Sequence, residues 1–422
     1  MIESEISIDN IQEKSWFLTG LFITMPFFSL GGINFYNYGL LIYLILGIFK
    51  GKFYYHKESF SFILFLIAMF ISTVVGYSVV PLVWANYSMV TIVKSSFLLM
   101  LIVFVSSESD FTQSRSYFLK GIIYAAFAHL IWILLQYVTF KVGGIDLNLL
   151  AFGQATPRQN SGIVLTGLSW ERANSVIALV IAIILLKNVF LKVLLMVGVF
   201  ATASRTGIIM LLAVLCYDII AFFKKKNRKV EFHISFWKLV TGILVVVFVI
   251  YLLTNNTIKQ SLNYTLTRFE RLFTGGDDYS SSSVDGHVLY YQWLSEVMPK
   301  LPLRVILFGC GTNISGWVYS VFFNKVLDNG PWSIECDFVA VLFGNGIIGL
   351  VLYYYNFIKL FVKQNSEELR KILLSIFVGT FLYGFLASSL SLILMMFCIS
   401  PVNRRISNLR KSPKKLMDNV LD

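Results

Sequence analysis

Arginines at the ends of apolar stretches are the first residues of this sequence that suggest chemistry. Arg205 stands at the junction of two apolar segments. Arg158 and Arg172 bracket a smaller polar stretch, and Arg268 and Arg271 open a larger one. A guanidinium group binds phosphate through two parallel hydrogen bonds, so converging arginines could hold a phosphate group. Arg205 could equally extend to lipid head groups or pair with a helix carbonyl, and physical reasoning favours neither role.

Carboxylates and one histidine are the candidates for acid and base catalysis. A sugar hydroxyl that attacks a phosphorylated anomeric carbon benefits from a base that removes its proton. The candidates are Glu171, Asp285, His287, Glu296, Glu335 and Asp337. Each of them taken singly is more ordinarily a salt-bridge partner or a helix cap, so the sequence leaves the general base open.

Two tryptophans accompany these charged residues. Trp170 precedes Glu171, and Trp293 lies in a segment, residues 284–298, whose four-residue apolar spacing predicts an amphipathic helix. Both side chains could stack on sugar rings. The more ordinary alternative is that the loop aromatics form a core of their own.

The composition determines the class of protein that must position these residues. The chain has 422 residues, of which 57% are hydrophobic and 14% charged, and its mean hydropathy is +0.73. These values lie far outside the range of ordinary soluble domains and predict an all-α polytopic membrane protein. Residues 1–14 are polar and slightly acidic, so no cleavable leader is expected and the first helix should remain as an anchor.

About twelve apolar runs are long enough to cross the bilayer. They lie near 16–31, 34–50, 59–77, 87–106, 117–140, 173–187, 189–203, 206–223, 236–254, 337–361, 371–384 and 386–400. The last two could instead form one long tilted helix. The chain thus divides into nine helices over 1–254 with a smaller loop near 141–172, a large loop over 255–333, three helices over 334–400, and a basic tail over 401–422.

The orientation of the chain follows from its basic residues. They cluster on one side, at residues 50–57, 224–229, 363–371 and 404–415, and the positive-inside rule makes this side cytoplasmic. Both loops and the turn at residues 204–207 then face the opposite compartment, where converging arginines would suit a lipid-linked pyrophosphate. The net charge of +12 is largely this topological signal. It favours contacts with membrane lipid head groups and gives no reason to expect a nucleic-acid partner.

The four cysteines form no metal-binding or redox motif. Cys216 and Cys398 lie in apolar runs, where packing is their expected role. Cys310 and Cys336 both lie on the external side and could form a disulfide across the long loop in an oxidising compartment. The sequence therefore predicts no metal and no cofactor, and leaves this disulfide open.

Five short motifs follow one another around the long loop. They are GLSWERAN at 167–174, SRTG at 204–207, FGCGT at 308–312, ECDF at 335–338 and GIIG at 346–349. Their order, spacing and placement relative to one large external loop resemble the O-antigen polymerase and ligase superfamily. The resemblance covers residues 158–360 by motif and the whole chain by topology.

This resemblance implies a multi-pass enzyme of the bacterial inner membrane with a GT-C-like architecture. Such an enzyme is a metal-independent glycosyltransferase that acts on undecaprenyl-pyrophosphate-linked glycans at the periplasmic face. Arg205 would bind the pyrophosphate that becomes the leaving group and stabilise its developing charge. A chain-length regulator is a further partner expected of a polymerase.

Two positions distinguish the branches of the superfamily. Ligases carry a functionally important histidine where this chain has Glu335, counted back from residues 346–349, and this difference favours a polymerase. An arginine commonly precedes the Trp-containing helix of the loop, whereas this chain has His287 before Trp293. Arg268 or Arg271 are then the candidates for the second pyrophosphate contact.

The alternative functions are an O-antigen ligase and a flippase or transporter of lipid-linked oligosaccharides. A flippase should carry charged residues inside helices that line a central cavity, together with short loops. Here Lys94 is the one clear charge in the middle of a predicted helix, and one loop is large. A repeat-unit polymerase is therefore the leading prediction.

Overall fold

The computed structural model describes residues 11, 14–30, 33–50, 60–105, 109–156, 158–159, 162–169, 171–202, 204–225, 290–291, 294–322, 330–331, 333–385 and 390–398. The ninth predicted span at 236–254 and the basic tail lie outside these residues. The regular elements of the described part are helices, apart from two short pairs of antiparallel strands. This agrees with the predicted all-α fold.

The elements follow the predicted spans closely in the first half of the chain. In chain order they are β1 (Ser29–Leu30), β2 (Ile33–Asn34), α1 (Phe35–Lys50), α2 (Phe60–Gly76), α3 (Leu82–Val105), α4 (Ser109–Gly143), α5 (Leu147–Phe152), β3 (Arg158–Gln159), β4 (Gly162–Ile163), α6 (Arg172–Leu185), α7 (Val189–Ala201), α8 (Arg205–Lys225), α9 (Leu303–Phe308), α10 (Gly316–Phe322), α11 (Asp337–Lys363), α12 (Glu367–Gly379) and α13 (Leu390–Cys398). Both hairpins are antiparallel, with Ser29 opposite Asn34 and Arg158 opposite Ile163.

Helix α6 lies at the centre of the bundle. It packs against α4, α7, α8 and α12, and most of its side chains from Ala173 to Ile184 are fully buried. A helix that is apolar on every side is stable only when it is surrounded by other helices. Helix α6, which begins at Arg172 directly after Glu171, is thus held by four neighbours.

Two described helices are long and apolar enough to cross a membrane, namely Ser114–Gly143 and Asp337–Lys363. Five shorter apolar helices of 10–17 residues accompany them within the described residues. This pattern is consistent with a helical membrane protein, and the count of twelve spans stays a prediction.

Two predicted spans differ from the structure. The first, at 16–31, is helical only to residue 22, because Pro26 cannot continue a helix. The span at 337–361 is broken at Gly346, whose φ of 67° and ψ of −175° are not helical. The segments 371–384 and 386–400 are separate helices, as predicted, and the alternative of one long tilted helix is wrong, since α12 ends at Gly379 and α13 begins at Leu390.

The end of the long loop has a core of its own. Buried apolar side chains from residues 297–318 pack against the start of α3 and the start of α11; they include Val297, Val305, Ile314 and Val318. This agrees with the more ordinary role expected for an apolar loop. Cys310 and Cys336 lie in this core as free thiols, so the alternative of a disulfide between them is wrong.

Candidate active site

A glycine turn of the smaller loop is fastened to α4 by side-chain hydrogen bonds. The Gly167 N–H donates to Gln136 Oε1 at 2.9 Å, and the Leu168 N–H donates to His129 Nδ1 at 3.1 Å. Because His129 Nδ1 is an acceptor, its Nε2 carries the proton and faces Thr24 Oγ1 at 3.2 Å. Gln136 and His129 are seven residues apart and so share one face of α4. They place the turn directly in front of Glu171.

Glu171 precedes α6 but does not cap it. It occupies the N-cap position of α6 without any side-chain capping bond. Its backbone N–H donates to Ser169 Oγ at 3.1 Å, and its carboxylate accepts a hydrogen bond from the Tyr383 hydroxyl. That hydroxyl also lies 3.2 Å from Asn174 Oδ1, and Asn174 Nδ2 donates to Ser169 Oγ at 3.1 Å. The capping alternative for Glu171 therefore does not apply, and the carboxylate is turned away from its own helix.

Glu335 lies beside Glu171 and Arg172 although it is far away in sequence. Its side chain reaches solvent on one side and contacts protein on the other. Burial against the protein and the charge of Glu171 raise the pKa of the Glu335 carboxyl, and the Arg172 guanidinium opposes this rise. A carboxyl with a raised pKa and an opening to solvent is suited to general base catalysis near neutral pH.

Asp337 is buried behind this pair. Its side chain is 1% exposed, and its carboxylate accepts a hydrogen bond of 2.7 Å from the Tyr353 hydroxyl. Both residues belong to α11, and a straight helix would separate them by about 24 Å. The break at Gly346 is what brings them together. This geometry gives Asp337 a structural role in holding the bent helix.

The start of α11 is bonded to the turn that follows α12. The backbone N–H groups of Asp337 and Phe338 donate to the carbonyl groups of Tyr383 and Thr380, both at 3.3 Å. The first N–H groups of a helix have no partner inside the helix and need one outside it. Residues 380–383, called here the junction turn, supply these partners.

The junction turn also holds the end of the long loop. The Tyr291 hydroxyl donates to the Phe381 carbonyl at 2.7 Å, and the Cys336 thiol donates to the same carbonyl at 3.2 Å. The Tyr291 and Phe338 rings stack with centroids 6.0 Å apart. The long loop, the start of α11 and the smaller loop therefore meet at this one turn.

A close backbone contact between two glycine-rich segments anchors the other side of the site. The Cys310 N–H donates to the Phe343 carbonyl and the Gly311 N–H donates to the Gly344 carbonyl, both at 2.9 Å. A Cβ at Gly309 would lie 2.1 Å from the Gly344 carbonyl oxygen, so no other residue fits there. The FGCGT motif thus brings the loop end against α11.

Polar side chains tie the same contact to α2. Asn345 Nδ2 donates to Thr312 Oγ1 at 2.7 Å and to Ser72 Oγ at 3.0 Å. A small cavity lies between this cluster and the start of α11; it is lined by Asn313, Ser333, Ile334, Asp337, Ala340, Val341, Asn345 and Gly384. Within the described residues, no group of three or more His, Cys, Asp or Glu side chains could hold a metal ion.

Arg205 begins α8 next to the start of α6. A Cβ at Gly207 would lie 1.9 Å from Val176 Cγ1, so this glycine allows the two helices to pack closely. Val176 is one turn beyond Arg172, and the two arginines therefore lie at the same end of neighbouring helices. The Arg205 side chain is buried. Two helix N-termini, each with its partial positive charge, and two guanidinium groups make this end favourable for an anion.

The comparisons with known proteins bear on this arrangement. Residues 190–354 match a family model described as O-antigen ligase. This match supports the resemblance of the region to the O-antigen polymerase and ligase superfamily. The superfamily contains membrane glycosyltransferase-like enzymes, and the match does not distinguish its polymerase branch from its ligase branch. The comparison with curated proteins gave no match.

The matched region confirms the family resemblance and has a definite extent. It begins in α7 and ends in the second half of α11, so it contains Arg205, the glycine contact and Glu335. Glu171 and Arg172 precede it. The candidate site thus combines residues of the matched region, such as Glu335, with Glu171 and Arg172 from an earlier part of the chain.

The structure brings together only some of the predicted site residues. Glu171, Arg172 and Glu335 are neighbours, with Asp337 buried behind them and Arg205 on the adjacent helix start. Arg158 lies in β3, where only its backbone is described. Glu296 is described and exposed. The remaining candidates lie outside the described residues: Trp170, Arg268, Arg271, Asp285, His287 and Trp293.

The sequence did not point to Tyr383, Asn174 or Ser169 as site residues. Asn174 and Ser169 flank Glu171 within the GLSWERAN motif, and this proximity is a signal that could have identified them. Tyr383 lies inside a predicted apolar span and carries no such signal.

Proposed function

We propose that this protein polymerises undecaprenyl-pyrophosphate-linked oligosaccharide repeat units at the periplasmic face of the bacterial inner membrane. The observation that carries the proposal is that Glu335 lies within electrostatic range of Glu171 and Arg172, near the helix start that bears Arg205. This arrangement combines a carboxylate open to solvent with cationic groups suited to a pyrophosphate. The superfamily match supplies the reaction class.

The proposed reaction transfers the growing glycan from its lipid carrier to the next repeat unit. A hydroxyl of the acceptor sugar attacks the anomeric carbon of the donor, and the bond between that carbon and the phosphate oxygen breaks. Glu335 accepts the hydroxyl proton, and undecaprenyl pyrophosphate leaves with the electron pair of the broken bond. The reaction needs no redox partner, and the proposal includes no metal.

Arg205 and Arg172 would stabilise the leaving pyrophosphate. Negative charge develops on this group as the bond breaks, and fixed cations placed there in advance stabilise the transition state more than the ground state. The starts of α6 and α8 add partial positive charge in the same direction. Glu171 would keep Arg172 in place and increase the basicity of Glu335.

A ligase is the second candidate, because the matched family model carries that description. A ligase would transfer the finished glycan onto lipid A core with the same leaving group. Glu335 in place of the ligase histidine is the residue that favours the polymerase. A chain-length regulator and membrane lipids are the partners that we propose for the polymerase.

A gene deletion separates these functions. A strain lacking the gene is expected to carry lipid A capped with a single repeat unit. Loss of all glycan from lipid A would instead indicate a ligase or a flippase and would contradict the polymerase proposal. The unchanged wild-type ladder of glycan lengths would contradict all three functions.

A pair of reporter fusions tests the proposed orientation. A reporter that is active only in the periplasm should be active when it is fused after Tyr279, and inactive when it is fused after Arg228. The opposite pair of results would place the long loop in the cytoplasm and remove the proposed site from the periplasm.

A further inference from the structure

Tyr383 of the junction turn contacts both segments that carry the candidate carboxylates. Its side-chain hydroxyl donates to the Glu171 carboxylate. Its backbone carbonyl accepts the Asp337 N–H at 3.3 Å, two residues after Glu335. Cys336, which lies between Glu335 and Asp337, has an extended backbone with φ of −140° and ψ of 113°. The bond at Asp337 therefore also limits where the Glu335 backbone can lie.

We infer that Tyr383 is the positioning residue that sets the separation between Glu171 and Glu335. The inference rests on the proposed function, because it concerns how the two carboxylates of that site are held. One end of Tyr383 fixes the segment of Glu335 and the other end fixes the side chain of Glu171. Within the described residues, Tyr383 is the single amino acid that bonds both to Glu171 and to the segment that carries Glu335.

The surroundings of the hydroxyl show that it orients Glu171 specifically. The Tyr383 hydroxyl donates to Glu171 and lies 3.2 Å from Asn174 Oδ1, while Asn174 Nδ2 and the Glu171 N–H both donate to Ser169 Oγ at 3.1 Å. These contacts hold the backbone of Glu171 as well as its carboxylate. Without the hydroxyl, the exposed carboxylate can rotate into solvent, away from Glu335.

A change of one atom tests this role. Tyr383→Phe removes the hydroxyl and keeps the ring and the backbone carbonyl. The rate of transfer by the purified protein should fall about ten-fold or more, as expected for the loss of a hydrogen bond to a charged group. The KM for the lipid-linked repeat unit, extracted from the deletion strain and used as the probe, should change much less than kcat.

The pH profile distinguishes positioning from a general loss of structure. Within the described part of the chain, Glu171, Arg172, Tyr290 and Tyr383 interact electrostatically with Glu335. When Glu171 moves away, Glu335 loses a negative neighbour and its pKa falls. The acid limb of the rate profile should therefore shift to lower pH in Tyr383→Phe. Glu171→Gln should shift it in the same direction, and the double variant should shift it no further than Glu171→Gln does.

Tyr354→Phe is the matched control. The Tyr354 hydroxyl bonds to Thr380 Oγ1 of the same junction turn at 2.9 Å, and its ring stacks on Phe381. Its removal should leave both the rate and the pH profile as in the wild type. A wild-type rate in Tyr383→Phe, or equal losses in both variants with unmoved profiles, would overturn the inference.

Glu335→Gln separates failure of this inference from failure of the proposed function. A full rate in Glu335→Gln would remove the proposed base and would overturn both. A slow Glu335→Gln together with an unaffected Tyr383→Phe would leave the proposed function standing and would overturn the role of Tyr383 alone.

Discussion

The two sides of the candidate site are built in different ways. Residues 308–312 meet α11 through backbone groups, and added Cβ atoms at Gly309 and Gly346 would lie 2.1 and 2.3 Å from backbone oxygens. Residues 167–174 meet α4 and the junction turn through side-chain hydrogen bonds, with the Glu171 side chain left at the surface. The glycine contact of residues 308–312 thus fixes the position of the loop end, and residues 167–174 carry the charged groups. Substitutions on the first should reduce folding, and substitutions on the second should reduce activity.

Gly346→Ala should have the largest effect. Its φ of 67° is unfavourable for alanine, and the new Cβ would lie 2.3 Å from the Leu307 carbonyl oxygen. Since a backbone atom cannot move aside without moving the loop end, we expect little folded protein. The measurement is the yield and the thermal unfolding of the purified variant in detergent. Wild-type yield and stability would show that the glycine contact is not required.

Arg205→Ala should abolish product while the protein level stays normal, with a loss of about a hundred-fold or more. Arg205→Lys should fail as well, because an ammonium group cannot reproduce the planar fork of a guanidinium group. The glycan ladder of a complemented deletion strain is the readout, with an immunoblot for the protein. Full product from the lysine variant would reduce Arg205 to a generic positive charge, and full product from the alanine variant would remove it from the site.

Arg115→Lys is the matched control for Arg205. Arg115 is a second arginine of the bundle, on α4, and its Nη1 donates to the Phe397 carbonyl at 3.3 Å. A lysine can still donate to one carbonyl group, so the ladder should be retained.

Arg172→Gln should change the pH dependence in a direction that the charges predict. The guanidinium lowers the pKa of Glu335 against the larger effects of burial and Glu171. Without it the pKa rises, so the base stays protonated to a higher pH and the acid limb of the rate profile moves upward. Arg304→Gln, at an exposed arginine of α9, should leave the limb in place. If the acid limb does not move in Arg172→Gln, Arg172 does not influence the pKa of the catalytic base.

Gly153→Ala should have the smallest effect. Its φ is 68° at the end of α5, but an added Cβ would meet no atom within 4 Å. Only the backbone strain remains, about 1–2 kcal/mol. A modest fall in thermal stability with full activity would confirm that the steric contact, rather than positive φ alone, makes Gly346 essential. A loss as large as that of Gly346→Ala would contradict this distinction.

The sequence predicted the parts of the fold that depend on local hydrophobicity. The spans around α1, α2, α6, α7 and α8 agree with the structure because continuous apolar runs there coincide with single helices. The break at Gly346 was missed because the run 337–361 is long and mostly apolar, and the close approach of the Leu307 carbonyl to Gly346 comes from a distant segment.

The candidate site was predictable only in its charged members. Glu171, Arg172, Arg205 and Glu335 are polar residues in or beside apolar runs, and such residues stand out in any sequence. Tyr383 does not, because it contributes through a hydrogen bond to a residue 212 positions away. Long-range pairing of this kind leaves no local pattern.

The measurement that tests the central claim most directly is the rate at which purified Glu335→Gln releases undecaprenyl pyrophosphate from the lipid-linked repeat unit. Glutamine keeps the shape and the hydrogen bonding of the residue but removes its basicity. The rate should fall by about a hundred-fold to ten-thousand-fold relative to the wild type, as expected for loss of a positioned general base. An unchanged rate would contradict the assignment of Glu335 as the base of this site.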